Sequence, residues 1–525
     1  LFVTENQGQS WETISPDLTT NDKSRQASSG GPITKDNTSV EYYCTIFTAA
    51  ESVLEKDLLW TGSDDGLIHV SKDGGKNWEN VTPPEAGKWM MWNCIETDYF
   101  KKGTAYFVGT KYKLDDYAPY IFKTEDYGKT WKRITNGIDN THFTRVIRAD
   151  RRRPGLLFAG TEFGMYISYD DGANWKKFQL NLPVVPITDM TIKENDLVIS
   201  TQGRSFWVID DLSLLQQKDA SLLHKNLQVF AVNDAYRMEG GARRGSRGGG
   251  GVLQNIGQNP ANGVVFNYHL KDATDSSVVS ITVFDKQHTP IKTFSTKAKE
   301  PTDKIDCNDG MNQFVWDMNY PPAEKVDGLI LWNGSIGTTK VAPGKYSARF
   351  RYGKDSVDVP FLVKANPNYQ MTEADYDAQT AYLLQVRDKF SEVQKAIKNI
   401  RTVRIQISEF TARIDAETNK DVKKLADSVN KQMTAVEEAL YQTKSKSGQD
   451  VLNFPIRLND KLAGLYGVAA SGQNPPSKQV REAFIELGGL ADIQLEKLKM
   501  IMNTNLKALN KMINEKQLPL IGIKN

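Results

Sequence analysis

The chain has 525 residues, 66 basic and 64 acidic side chains, and 39% apolar residues. A net charge of +2 argues against a general nucleic-acid or membrane-surface binder, which carries a clear basic excess. The length predicts about three domains, and no apolar run reaches the roughly 18 residues of a transmembrane helix. Three distant cysteines and five scattered histidines indicate no metal site and no disulfide framework, and we expect no cofactor.

Four segments share the pattern [ST]-x-[DN]-x-G-x-[STN]-W, at residues 4–11, 71–78, 124–131 and 168–175. The third-position Asp or Asn can accept a hydrogen bond from the backbone two residues on and set a turn, and the fifth-position Gly supplies a positive φ. The final Trp starts the outgoing strand and is expected to pack between neighbouring sheets. We therefore assign a structural role, and not catalysis, to Asn6, Trp11, Asp73, Trp78, Asp126, Trp131, Asp170 and Trp175.

Strand pairs precede the later copies, as in "LLWTGSDDGLIHV" and "LLFAGTEFGMYIS". A further segment, residues 196–213, keeps the strands and lacks the Asp-containing turn. Together these repeats predict a partial Asp-box β-propeller of about five blades over residues 1–213.

Residues 1–213 resemble the final part of the propeller region of bacterial BNR/Asp-box proteins, often labelled sortilin-like or glycosyl hydrolase. "WTGSDDGLIHVSKDGGKNWENVTP", "YIFKTEDYGKTW" and "TQGRSFWVIDDL" carry this resemblance in the same order as in that family. It implies an exported protein in the periplasm, on the cell surface or secreted. It also implies a longer polypeptide whose N-terminal propeller half is a partner of this chain.

The remainder of the chain predicts three further regions. Residues 214–260 read as a linker, and its Gly/Arg-rich centre, 239–251, is interpreted as a flexible loop and not an RNA-binding segment. Short strands over 261–365 predict an immunoglobulin- or fibronectin-like β-sandwich. Helical periodicity over 366–525, which begins with a capping box of Thr372 and Asp375, predicts an antiparallel bundle of three long helices. Residues 453–477, between the second and third helices, are predicted to form a loop.

Ligand sites of a propeller are expected on the end opposite the Asp-boxes, at the turns between second and third strands. The sequence places polar and aromatic side chains at this end, including Ser63 and Gln202. The candidate catalytic carboxylates are Asp64, Asp65, Asp115, Asp116 and Glu162, and the candidate ligand-binding residues are Trp89, Trp92, Lys111, Tyr117 and Arg204. A long polar insertion adds Asp36, Glu41 and Tyr42. The alternative interpretation is that many of these are ordinary turn residues.

Two functions fit these observations. The first is a non-catalytic extracytoplasmic scaffold that binds a protein, a peptide or a glycan on this end of the propeller. The second is a glycoside hydrolase with paired carboxylates, because sialidases and xyloglucanases share the Asp-box. No nucleophile or phosphate-binding motif favours another chemistry.

Overall fold

The computed structural model describes residues 1–28, 30, 42–219, 224–238, 259–332, 336–415 and 417–518. The chain divides into two compact units, Leu1–Lys218 and Asp219–Asn525. Among the described residues, no helix is both long enough and apolar enough to cross a membrane.

The first unit consists of antiparallel sheets in which each strand pairs with the next along the chain. We number these sheets as blades. The first blade is β1 (Phe2–Val3) and β2 (Glu12–Thr13); the second is β3 (Ile46–Glu51), β4 (Leu59–Ser63), β5 (Ile68–Ser71) and β6 (Glu79–Asn80). The third is β7 (Met91–Thr97), β8 (Ala105–Lys111), β9 (Asp116–Thr124) and β10 (Lys132–Arg133); the fourth is β11 (Thr144–Ala149), β12 (Leu157–Thr161), β13 (Gly164–Ser168) and β14 (Lys176–Lys177). The fifth is β15 (Ile187–Lys193), β16 (Asp196–Thr201) and β17 (Phe206–Ile209), followed by α1 (Ser213–Gln216).

The first strands of successive blades pack against one another, β3 with β7, β7 with β11, and β11 with β15. Buried aromatic side chains such as Trp60, Phe107 and Phe158 fill the space between sheets. Successive four-stranded meanders packed through their first strands are the architecture of a β-propeller. The propeller prediction is therefore confirmed at the level of the fold.

The Asp-boxes of the second, third and fourth blades lie between the third and fourth strands, and that of the first blade lies between β1 and β2. In the second blade, the Ser71 hydroxyl donates to Asp73 Oδ1 at 2.9 Å and accepts from the Gly75 N–H at 2.8 Å. Asp73 Oδ1 also accepts from the Asn77 backbone N–H at 2.9 Å, four residues on and not two as expected. The Asn77 side chain lowers the pKa of Asp73 to about 2, so this carboxylate holds the turn in its charged form.

The box tryptophans join neighbouring blades. The indole N–H groups of Trp78, Trp131 and Trp175 donate to the carbonyls of Ile14, Val81 and Ile134, at 2.9, 2.7 and 2.8 Å. Each of those residues directly follows the last strand of the preceding blade. Trp175 is 4% exposed, whereas Trp11 of the first blade is 60% exposed, so the predicted packing does not apply to Trp11.

In the second unit, two sheets share one hydrophobic core. Their strands are β18 (Leu227–Val229), β19 (Ala235–Tyr236), β20 (Val264–Leu270), β21 (Val279–Phe284), β22 (Pro290–Ser295), β23 (Gly310–Trp316), β24 (Gly344–Tyr352) and β25 (Asp355–Lys364). The three-stranded sheet has the order β18–β20–β23, and the five-stranded sheet has the order β19–β25–β24–β21–β22. The immunoglobulin- or fibronectin-like assignment stays a prediction.

Part of the predicted linker is built into these sheets. Strand β18 pairs with β20, and its residues Leu227 and Val229 are buried. Strand β19 pairs in parallel with β25. The Gly/Arg-rich centre, 239–251, lies outside the described residues.

The helices of the second unit are α2 (Glu373–Thr411), α3 (Lys420–Leu440), α4 (Leu458–Ala470), α5 (Lys478–Met500) and α6 (Leu506–Glu515). A π-helical segment, Ile501–Asn505, joins α5 to α6, and a capping box of Thr372 and Asp375 starts α2. The helical prediction is confirmed for the three long segments, but α4 lies where the sequence predicted a loop. It forms because Leu462, Ala463 and Tyr466 bury one helical face against the core.

Candidate functional site

The turns between second and third strands lie at the end of each blade opposite its Asp-box. We call this end of the first unit the loop face; it comprises residues 64–67, 112–115, 162–163 and 202–205, together with the adjoining Arg25, Tyr43, Trp89 and Lys111. Three of these turns begin with one repeated contact. The N–H groups of Asp64, Glu162 and Gln202 donate to the carbonyls of Thr45, Phe143 and Pro186, at 3.0, 3.1 and 3.0 Å. The same backbone geometry therefore presents a different side chain on each of three blades.

Asp65 is buried and fixes the chain segment before it. Its Oδ2 accepts from both the N–H and the hydroxyl of Thr20 at 2.7 Å, and its Oδ1 accepts from the Ser63 hydroxyl. With both oxygens engaged by protein donors, Asp65 acts as a structural carboxylate. The sequence predicts Asp65 as a candidate catalytic carboxylate, but its side chain is buried and not exposed on the loop face.

Asp64, beside it, is also buried. Its Oδ1 accepts from the Thr45 N–H at 2.8 Å. Burial raises the pKa of Asp64, and the neighbouring Asp65 charge acts in the same direction, while the Thr45 hydrogen bond opposes both.

The third-blade turn contains a 3₁₀ helix, Tyr112–Leu114, followed by Asp115 at φ +64°. Asp116 Oδ1 accepts from the Ala118 N–H at 3.0 Å, and its Oδ2 accepts from the Tyr120 hydroxyl at 2.6 Å. A hydrogen bond to Asp115 raises the pKa of the exposed Tyr117. Both predicted carboxylates of this turn are thus bonded within the turn or the strand that follows it.

Contacts through Phe143 connect this turn to the fourth blade. The Tyr112 ring stacks on Phe143 with centroids 5.1 Å apart, and the Tyr117 ring lies 6.2 Å away. Arg145 Nε and Nη2 lie 2.7 and 2.6 Å from Glu162 Oε2, and the Arg145 guanidinium lies 5.2 Å from the Phe143 ring. The structure therefore brings Tyr117 and Glu162 into one cluster, with Glu162 in an ion pair.

Trp89 lies where the second blade connects to the third. Its backbone has φ +63°, and its N–H donates to the Asp65 carbonyl at 3.2 Å. Its ring contacts Tyr43 edge-on at 5.2 Å and lies 5.3 Å from the Arg25 guanidinium. Lys111 projects toward the same connection, because its Nζ is 3.2 Å from where a Cβ on Gly87 would lie.

Trp92 does not belong to this surface. It is 0% exposed in β7 and packs edge-on against Phe107 and Phe122, at 6.0 and 5.7 Å. The irregular register between Trp92 and Cys94 in β7 accompanies this inward orientation. Its predicted ligand-binding role is wrong, because core packing excludes it from any ligand.

The other predicted residues are dispersed. Arg204 is exposed and donates to its neighbouring Gly203 carbonyl at 2.8 Å, without contact to the aromatic cluster among the described residues. Asp36 and Glu41 lie outside the described residues, while the Tyr42 carbonyl accepts from the Thr45 hydroxyl at 3.3 Å.

A polar cluster between the first strands was not predicted from the sequence. Arg148 of β11 donates to Cys94 Sγ at 2.8 Å and to Asp189 Oδ1 at 2.6 Å, and its Nη1 lies 3.6 Å from Glu96 Oε2. Burial raises the pKa of Glu96 to about 7 despite this arginine. Within the described ranges, no group of three or more His, Cys, Asp and Glu side chains is spaced to hold a metal ion.

No protein-family model matches the chain. No curated protein matches it either.

Solved structures similar to part of the chain include two of YCF48 and one of a xyloglucanase. YCF48 bound to a D1 peptide has 20% identity and a TM-score of 0.26, covering 32% of this chain and 52% of its own. YCF48 from Cyanidioschyzon merolae has 17% identity and a TM-score of 0.25, and the match covers 32% of this chain and 53% of that structure. The GH74 xyloglucanase from Xanthomonas campestris has 15% identity and a TM-score of 0.31, covering 42% and 34%. The chain thus spans about half of each YCF48 structure and about a third of the xyloglucanase, and likeness at this level assigns no function.

Proposed function

We propose that the protein is a non-catalytic, extracytoplasmic propeller scaffold that binds a protein, peptide or glycan ligand on the loop face. The supporting observation is a pair of aromatic groups that carry cationic side chains. Trp89 and Tyr43 lie beside Arg25 and Lys113. Tyr112 and Tyr117 lie against Phe143, which Arg145 also contacts. Aromatic and arginine side chains at a junction of rigid elements are typical anchors of binding surfaces. An extracytoplasmic location is part of the proposal and rests on the resemblance of the Asp-box region to exported proteins.

The state of the carboxylates also supports binding over hydrolysis. Asp65 and Asp116 are held by two or more protein donors each, and Glu162 is paired with Arg145. A glycosidase needs one protonated acid opposite a second carboxylate that is free to act as base or nucleophile. Engaged carboxylates are poor candidates for that second role.

Ligand retention by surface variants tests the proposal. The protein is immobilised and exposed to panels of extracellular glycans and peptides. We expect the double variant Trp89→Ala/Tyr117→Ala to lose the retained ligand, because both changes remove aromatic contact area from the loop face. Trp11→Ala is the matched control, because Trp11 is an exposed tryptophan at the opposite end of its blade. Equal retention by the double variant and the control would place the ligand elsewhere.

One observation favours the alternative, a glycoside hydrolase. Burial raises the pKa of Asp64, as a general acid requires. Hydrolysis of a panel polysaccharide that disappears in Asp64→Asn, with folding intact by circular dichroism, would support this alternative over the scaffold.

A further inference from the structure

We propose that the loop face recognises an acidic peptide segment, and that Arg25, Lys111 and Lys113 contact its carboxylates. This inference rests on the proposed binding function and specifies the chemical class of the ligand.

The three cations are held in place by aromatic rings. Arg25 Cζ lies 5.3 Å from the Trp89 ring centre, and Lys113 Nζ lies 5.6 Å from the Tyr43 ring centre. Because the Trp89 and Tyr43 rings touch at 5.2 Å, these four side chains form one continuous group. Lys111 Nζ lies 5.4 Å from the Tyr120 ring, at the edge of the same connection.

A ring quadrupole orients a cation without neutralising its charge. In the part of the chain that the structure describes, Arg25, Lys111 and Lys113 form no ion pair with a carboxylate, and their contacts are with rings. Arg145, in contrast, is paired with Glu162. The positive charge of this group is therefore available to a ligand.

Among the residues that the structure describes, two acids act on this group. Asp64 acts electrostatically on Lys113, and its Oδ1 accepts from the Thr45 N–H at 2.8 Å. Asp22 acts on Arg25, and its Oδ1 accepts from the N–H and the hydroxyl of Ser24 at 3.0 and 2.7 Å. Charge complementarity thus favours an anionic ligand.

The apolar side chains beside the cations favour a peptide over an acidic polysaccharide. Leu114 and Tyr117 are 49% and 48% exposed in the turn that carries Lys113. An exposed leucine contacts apolar peptide side chains, whereas sugar rings stack on open aromatic faces. The Trp89 and Tyr43 rings each already have a cation over them. Acidic and apolar side chains in one short segment match this surface.

Selection from a phage-displayed library of random dodecapeptides tests the inference. The charge variant is Arg25→Gln/Lys111→Gln/Lys113→Gln. The control, Lys76→Gln/Lys129→Gln/Lys176→Gln, removes the same charge from exposed lysines at the Asp-box end. We expect wild type and control to enrich peptides that combine Asp or Glu with Leu or aromatic residues. We expect the charge variant to bind the best selected peptide about tenfold more weakly, as three partly exposed charge contacts are lost.

Three outcomes would overturn the inference. The first is a selected pool without acidic enrichment, and the second is equal peptide affinity of the charge variant and the control. The third is tighter binding of polygalacturonate than of any selected peptide, with that binding lost in the charge variant. If uncharged ligands are retained and are lost in Trp89→Ala/Tyr117→Ala, the binding function stands and the acidic specificity fails. If the folded protein retains neither peptide nor glycan, both fail.

Discussion

Trp175 illustrates how one side chain joins two blades. It is buried, and its indole N–H donates to the Ile134 carbonyl of the preceding blade. We expect Trp175→Ala to lower the free energy of unfolding by about 3 to 5 kcal/mol, the usual cost of emptying a buried tryptophan site. Trp11→Ala, at the same position of the repeat but exposed, should change it by less than about 0.5 kcal/mol. Urea denaturation followed by circular dichroism measures both, and equal losses would contradict the blade-joining role.

Glu96 gives the first unit a pH-dependent stability. Its folded pKa of about 7 exceeds the ordinary value of 4.5, because burial outweighs Arg148, Arg151 and the hydrogen bonds from Ala149 and Tyr99. Between those two values the folded chain binds more protons than the unfolded chain, so the free energy of unfolding falls as the pH rises. The full stabilisation is present below about pH 4.5, and its loss by pH 8 amounts to at most about 3 kcal/mol.

Urea midpoints at pH 5 and pH 8 test this expectation. Glu96→Gln should flatten the pH dependence, whereas Glu12→Gln, at an exposed position, should keep the wild-type profile. A Glu96→Gln profile that parallels wild type would show that another group titrates in this window.

At the level of secondary-structure elements, the Asp-box turn must approach the preceding blade closely. Gly172 has φ +81°, and a Cβ there would lie 2.5 Å from Ile134 Cδ1. Gly203 also has φ +81°, with nothing within 4 Å of a built Cβ. Gly203→Ala should therefore lower the free energy of unfolding by about 1 kcal/mol through backbone strain alone. Gly172→Ala should lower it by about 1 to 3 kcal/mol more, because the added Cβ overpacks against Ile134. Identical unfolding midpoints for the two variants would contradict the close approach.

Helices α2 and α3 are joined by a buried carboxylate. Glu437 Oε1 and Oε2 each accept at 2.7 Å, from Arg401 and Arg404 respectively. Glu437→Gln should destabilise the second unit by about 3 kcal/mol, because it leaves guanidinium charge without its partner. Glu438→Gln, on the neighbouring exposed position, should be neutral. Thermal unfolding followed by circular dichroism at 222 nm, which reports on helix content, compares the stability of the two variants. An unchanged stability of Glu437→Gln would mean that the ion pairs do not stabilise the second unit.

The elements that the sequence predicted well are those set by local chemistry. The eight-residue turn pattern and the capping box of Thr372 and Asp375 depend on residues close in sequence, and both are found where expected. Helix α4 was missed because Gly464 and Gly467 lower its intrinsic helix propensity, and tertiary packing of Leu462 and Tyr466 overrides that preference.

At the scale of the whole molecule, the candidate site was only partly predictable. Trp89, Lys111, Tyr117 and Glu162 were identified from their turns, but Trp92 was misassigned because a side chain's inward direction depends on the strand register. The pairing of Arg145 with Glu162 and the stacking of Tyr112 on Phe143 join residues far apart in sequence. The first contact needs β11 and β12 to pair within one blade, and the second needs two blades to pack.

Binding without turnover is the central claim, and mass spectrometry of retained and released ligand tests it most directly. The protein is incubated with a panel of extracellular polysaccharides, glycoproteins and peptides, and both fractions are analysed for new chain ends. The account predicts intact ligand in the retained fraction of wild type and Trp11→Ala, and none in that of Trp89→Ala/Tyr117→Ala. New oligosaccharide ends produced by wild type and absent with Asp64→Asn would contradict it and establish an enzyme.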